Sequence, residues 1–233
     1  MSSMVRPTGQ AGAPDPNAAI ERYREHAPGY DASARRTMPQ RRRTIDKLDL
    51  RPGDCVLDVA CGTGLSFRWL SEAVGPTGRV IGVELSPDMC MLARRRCTDE
   101  RLSNVVLLEA PMEKAAIDGP LDAILFNYTH DVLRSPAALA RIFSAARPGA
   151  RVAAAGMKLP PRWLAPLNPI VRARARPYMT TFDGLDLPWS LLAGYLVSFN
   201  WEHTTFMTNY VGWGKVKTTR IDHDCSATQQ TCP

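Results

Sequence analysis

Near-continuous apolar runs alternate along this chain with stretches whose apolar residues recur every three to four positions. CVLDVA (55–60), GRVIGVELS (78–86), NVVLLEA (104–110), LDAILFNY (121–128) and RVAAAGMK (151–158) are runs of the first kind. They predict strands buried on both faces. LSFRWLSEAV (65–74), PDMCMLARRRC (87–97) and SPAALARIFSAARPGA (135–150) have helical spacing. Pro87 and Asp88 suit a first helical turn. Ser135 suits an N-cap, with Pro136 at the first helical position and a Pro-Gly stop at the far end. Strands alternating with helices predict an α/β fold with a parallel sheet covered on both faces.

The end of the chain reads differently. SFNWEHTTFM (198–207) and NYVGWGKV (209–216) are β-like runs with almost nothing between them, which predicts an antiparallel hairpin at the sheet edge. Residues 159–195, rich in Pro, Trp and Leu, separate the fifth strand from that hairpin. A connection of that length reads as a cap insertion. Residues 1–18 are rich in Pro, Gly, Ala and Ser and read as a disordered tail. Residues 19–48 read as a helical lid, 49–216 as the main domain, and 217–233 as a second loose tail.

Composition adds limits. The 233 residues are 45% hydrophobic, enough for a sizeable core. No apolar run approaches the roughly 20 residues that span a bilayer, and the N-terminal stretch lacks the apolar centre of a secretory signal. The expected location is the cytoplasm. Six cysteines without Cys-x-x-Cys pairs or zinc spacing read as reduced thiols, and no metal site is expected. The net charge of +6 favours anionic partners or surfaces. Arg172, Arg174 and Arg176 near Trp163 could touch an anionic lipid, although a solvated helix face explains them more simply.

VLDVACGTGLS (56–66) carries the chemistry. A Gly-x-Gly turn between a first strand and a first helix marks a nucleotide site. Glu84 closes the second strand 22 residues after Gly62, where an acid holds ribose hydroxyls. A dinucleotide needs a small third residue, yet that position is Phe67. Asp58 would also repel a pyrophosphate. S-adenosylmethionine meets both objections, because it has a ribose, no phosphate, and an ammonium that wants a carboxylate. A nicotinamide dehydrogenase is therefore disfavoured. A protein that binds S-adenosylmethionine without turnover is the rival of another class.

DVACGTG (58–64), GVELS (82–86) and RPGA (147–150) resemble the class I S-adenosylmethionine-dependent methyltransferases. The likeness is to the ubiquinone/menaquinone-biosynthesis and phospholipid N-methylating subfamilies, over about residues 20 to 216. The resemblance implies a Rossmann-like seven-stranded sheet in the order 3-2-1-4-5-7-6, with strand 7 antiparallel. It implies a cofactor loop of Asp58, Ala60, Gly62, Thr63 and Gly64, with Ala60 where a Gly is commonest. It makes Glu84 the ribose acid and places Leu85 under the adenine. Pro111 and Met112 fall at the adenine edge, where many members have an Asp. Phe126 and Asn127 fall at the methionine half, and Tyr30 closes over the cofactor.

The acceptor is expected between the lid and the cap. Tyr23 on one side and Trp163, Tyr178, Phe182 and Trp189 on the other are the candidate wall. His130 sits where a strand ends and titrates near neutrality, which makes it the candidate base for an acceptor hydroxyl or activated carbon. An Asn-Pro-Pro-aromatic run is absent after strand four, so no nucleic-acid substrate is expected. The expected reaction is methylation of a small organic acceptor at oxygen, nitrogen or carbon.

Overall fold

The computed structural model describes residues 14–204 and 207–218. Helices α1 (Pro16–His26), α2 (Tyr30–Ala34) and α3 (Met38–Asp46), with short 3-10 turns between them, precede the sheet. Asp15 caps α1, its carboxylate accepting from the backbone N–H groups of Asn17 and Ala18. That helix thus begins inside the stretch expected as a tail, while residues 1–13 and 219–233 lie outside the described residues.

The sheet strands are β1 (Cys55–Val59), β2 (Arg79–Glu84), β3 (Val105–Glu109), β4 (Leu121–Asn127), β5 (Ala146–Met157), β6 (Leu196–Thr204) and β7 (Asn209–Val216). They form one seven-stranded sheet in the order β3-β2-β1-β4-β5-β7-β6. The pairings β1–β2, β1–β4, β2–β3 and β4–β5 are parallel, and β7 runs antiparallel to both β5 and β6. This is the expected topology, including the terminal hairpin.

Period-2 alternation sends β1 side chains to two cores. Leu57 and Val59 pack with Ile124, Phe126, Leu139 and Ile142. Val56 packs on the other face with Ile45, Leu48, Phe67, Leu70 and Val74. The helices between strands are α4 (Phe67–Val74), α5 (Pro87–Asp99), α6 (His130–Leu133) and α7 (Pro136–Ser144). Ser86 caps α5 and Ser135 caps α7 through their hydroxyls, each with Pro at the next position. One element differs from the sequence reading. α7 stops at Ser144 instead of running to 150, and Ala146 already pairs with Leu121. Pro148 offers no N–H and Gly149 takes a positive φ of 77°. The Pro-Gly pair therefore produces a register shift inside β5 rather than a helix stop before it.

The cap contains a 3-10 turn at Arg162–Leu167, then α8 (Asn168–Ala175) and α9 (Ser190–Ala193). Its inner side forms a small separate core of Ala175, Met179 and Leu185.

Phe67 explains two glycines. Its ring is fully buried. A Cβ at Gly64 would sit 2.5 Å from the ring, and so would one at Gly82. Two absent side chains make room for one aromatic between α4 and the sheet. Gly82→Ala is therefore expected to overpack this site and cost about 1–3 kcal/mol, read as a lower denaturant midpoint; an unchanged midpoint would mean that the ring has other room.

Candidate active site

β1 delivers a carboxylate just before the glycine turn, outside the cavity lining. Asp58 lies on the same face as Val56, is 2% exposed, and its Oδ2 has no hydrogen-bond partner among the described residues. Burial pushes its pKa up to about 7, with Glu84 adding to the rise and Arg41 opposing it. An ionised carboxylate held so deeply without a full set of partners is costly. Beyond it the chain turns at Ala60, whose φ of 47° is a conformation that favours glycine. Gly62 and Gly64 follow at φ 59° and 76°.

Glu84 closes the other side of the turn. One of its oxygens accepts from Gly62 N–H at 2.8 Å. The other accepts from Leu85 N–H at 2.9 Å and Ser86 N–H at 2.8 Å. Burial raises its pKa, and these three N–H donors oppose the rise. A carboxylate has about four lone-pair sites. Three are used in anchoring the loop, which leaves one for a hydroxyl.

The lid is fastened to this loop. Thr63 is buried, and its hydroxyl donates to Asp31 at 2.5 Å. The other oxygen of Asp31 pairs with Arg96, which also donates to the Thr63 carbonyl at 2.8 Å. The neighbouring Tyr30 is thereby laid over Gly62, 3.8 Å from where a Cβ would stand. Arg41 on α3, the first of three consecutive arginines, is buried. It donates to the hydroxyls of Thr37 and Tyr30 and lies 5.1 Å over the Tyr128 ring.

β4 ends in a strained turn. Tyr128 takes a φ of 63°, uncommon for an aromatic residue. This conformation turns the chain into α6. Asn127 donates to the Ser66 hydroxyl while its side-chain oxygen has no partner among the described residues. His130 is buried, and its Nε2 lies 3.1 Å from the Asp183 carbonyl. A carbonyl only accepts, so Nε2 carries the proton. Nδ1, which has no partner among the described residues, keeps a lone pair. Burial lowers the His130 pKa and favours the neutral ring. Asp131 accepts from the backbone and hydroxyl of Thr180, and Thr180 in turn accepts from Asp15 N–H.

These elements enclose a cavity of about 320 Å³ at the C-terminal ends of β1, β2 and β4. Ala60, Gly62, Glu84, Leu85, Pro111, Met112 and Asn127 line its sheet side. Tyr23, Tyr30, Tyr178 and His130 line the rest. The three tyrosines meet edge to face, with ring centroids 6.3 Å apart for Tyr23–Tyr30 and for Tyr30–Tyr178. Asp58, Thr63, Gly64 and Phe126 lie outside this lining, Phe126 within the core. Three of the aromatics expected at the acceptor are placed elsewhere. Trp163 faces solvent, Phe182 packs on the cap core beneath Arg172, and Trp189 stacks with Phe199, Trp201 and Tyr210. Among the described residues no group of three His, Cys, Asp or Glu side chains is placed to hold a metal ion.

Residues 56–149 match the family model described as "Methyltransferase domain". This stretch carries a methyltransferase domain. Among the relatives is a demethylmenaquinone methyltransferase of Symbiobacterium thermophilum. It is 31% identical over 139 residues, covering 56% of this chain and 55% of that protein. A ubiquinone/menaquinone biosynthesis C-methyltransferase of Ectopseudomonas mendocina is 38% identical over 104 residues, covering 41% of each. These matches span about half or less of the relatives' own length. A solved S-adenosylmethionine-dependent methyltransferase from Aquifex aeolicus superposes with a TM-score of 0.60 at 20% identity, covering 87% of this chain and 98% of that one. At that identity the superposition speaks for the fold of the methyltransferase domain.

Asp58, Gly62, Gly64 and Glu84, singled out from the sequence, lie around one turn in the structure. Sequence reading missed Arg41 and the Asp31–Thr63–Arg96 fastening, because nothing in a run of arginines marks the one that turns inward.

The orphaned Asp58 makes a signed prediction. Its folded pKa of about 7 lies above the unfolded value of roughly 3.9. Between those values the folded state binds more protons, so its contribution to stability falls as pH rises from about 4 to 7 and is level above. Asp58→Asn should lose less stability across that window. Its melting temperature, relative to the wild type without ligand, should climb from pH 5 to pH 8. A gap that does not change with pH would contradict the buried, protonated carboxylate.

Proposed function

We propose that the protein binds S-adenosylmethionine in this cavity and transfers its methyl group to a small organic acceptor in the cytoplasm. The single observation that carries the reading is the pairing of two unlike carboxylates across one glycine turn. Asp58 is buried and under-partnered, as suits a cation. Glu84 is oriented by three N–H groups with one lone-pair site to spare, as suits a hydroxyl. A ligand with an ammonium and a ribose satisfies both. Leu85, Pro111 and Met112 offer the adenine an apolar slot, and Asn127 offers the methionine half a carbonyl oxygen. Phe67 fills the space that a dinucleotide loop keeps open. The four described free cysteines fit a reducing compartment.

When bound, S-adenosylmethionine supplies an electrophilic methyl on a sulfonium, already a good leaving group. The chain's contribution is then positioning and exclusion of water. Tyr30 covers the turn, Tyr23 and Tyr178 wall the acceptor side, and the Asp31–Thr63–Arg96 contacts hold the cover down. His130 accepts a proton at Nδ1 from an acceptor hydroxyl or acidic carbon, while its Nε2–H stays on the Asp183 carbonyl. The names of the relatives make a quinone-like acceptor the first class to test, followed by other metabolites and lipids. Among the described residues no helix is long and apolar enough to cross a membrane.

Calorimetry should detect S-adenosylmethionine or its demethylated product and no NAD; binding of NAD alone would refute the reading. Glu84→Ala should weaken cofactor binding by about 1.5–3 kcal/mol, the scale of hydrogen bonds to a charged group, and an unchanged Kd would remove Glu84 from the ribose site.

With a hydroxyl or carbon acceptor, His130→Ala should lower kcat by about 10²–10⁴-fold, the usual contribution of a general base, with cofactor Kd unchanged. Full turnover in that variant would leave the cavity assignment standing and remove the base.

A further inference from the structure

Residues 159–182 contain four arginines and no Asp or Glu. The 3-10 turn Arg162–Leu167 buries none of its residues, although it reads RWLAPL. Trp163 is 71% exposed, and Ile170 on the following helix is 53% exposed. Helix α8 buries Val171 and Ala175, one turn apart. At 100° per residue its opposite face carries Pro169, Ile170 and Ala173. Arg172 and Arg176 flank that strip on one side, and Arg174 flanks it on the other. Among the described residues no ion pair involves Arg162, Arg172, Arg174 or Arg176. The outward face of the cap is thus an apolar strip edged by guanidinium groups that have no carboxylate partner among the described residues, Arg172 lying over the Phe182 ring.

We propose that this face of the cap, centred on Trp163 and Ile170, docks on an anionic phospholipid bilayer. A solvated basic face has no use for an exposed Trp and Ile. A nucleic acid would take the arginines and leave the apolar side chains in water. A bilayer surface uses both. Phosphates meet the guanidinium groups, Trp163 lies at the headgroup level, and Ile170 reaches the acyl boundary while the arginine stems lie along it.

The same segment continues into the cavity wall. Arg22 of the lid donates to the Arg176 carbonyl at 3.1 Å, and the Tyr23 hydroxyl donates to the Tyr178 carbonyl at 3.2 Å. Docking would therefore set the acceptor side of the cavity close to the membrane surface. The proposal goes beyond the transfer reaction and does not rest on the cofactor assignment.

Co-sedimentation tests it, using vesicles of phosphatidylcholine alone and of phosphatidylcholine with phosphatidylglycerol. The full chain should sediment with the anionic vesicles, and less so at high salt. The pair Trp163→Ala/Ile170→Ser should weaken this binding by roughly fivefold or more, and Arg172→Gln/Arg174→Gln by a similar factor. The arginine pair carries the comparison if the apolar pair impairs folding, as judged by melting temperature. Calorimetry with S-adenosylmethionine on the same variants keeps the two claims separate, since cofactor affinity should not move. Absence of vesicle binding, or binding by both variants as tight as that of the unchanged chain, would overturn the proposal. So would binding of a single-stranded oligonucleotide in place of vesicles, or a dimer that Trp163→Ala dissociates.

Discussion

A carboxylate that burial alone would neutralise stands near the C-terminal end of β1, an interior strand of the sheet. Asp58 has core on every side of its strand, little exposure and an oxygen without a partner among the described residues. A structure built only for stability would place a Leu or Val there. Its retention costs stability near neutral pH, and a cationic ligand recovers that cost by pairing with it. The glycine turn, the inward Arg41 and the lid are all arranged around this one charge.

Their arrangement links binding to order. Glu84 holds Gly62, Leu85 and Ser86 by their N–H groups, so the acid that receives a hydroxyl also shapes the turn. Asp31 joins the lid to Thr63 and Arg96, and Tyr30 follows it over Gly62. A ligand entering this cavity must pass a cover tied down by hydrogen bonds at the loop it will occupy. Occupancy and lid closure are thereby expected to be coupled, since both draw on the same residues.

The strands were legible because buried parallel strands read as unbroken apolar runs and the hairpin breaks that pattern, whereas their order came from the resemblance carried by DVACGTG, GVELS and RPGA. Asp58 and Glu84 were legible because acids stand out in such runs. The end of α7 was not. Ala145, Ala146 and Arg147 continue the helical spacing past Ser144, and the pairing of Ala146 with Leu121 overrides it. Arg41 could not be told from Arg42 and Arg43 without the packing of α3 on the sheet. The cap aromatics were alike in sequence, yet Tyr178 faces the cavity, Phe182 and Trp189 serve cores, and Trp163 faces solvent. Composition says that such residues will seek burial or a ligand, but only the tertiary path says which.

The role of Asp58 is measured most directly by the protons exchanged when S-adenosylmethionine binds. Calorimetry near pH 6.5 in buffers of different ionisation enthalpy gives that number. Free Asp58 is largely protonated there, its pKa being about 7. An ammonium brought beside it favours the charged form, so binding should drive the proton off. The wild-type protein is expected to release more protons than Asp58→Asn, with the difference fading above pH 8. Equal proton release by the two proteins would mean that the buried carboxylate does not answer to the ligand.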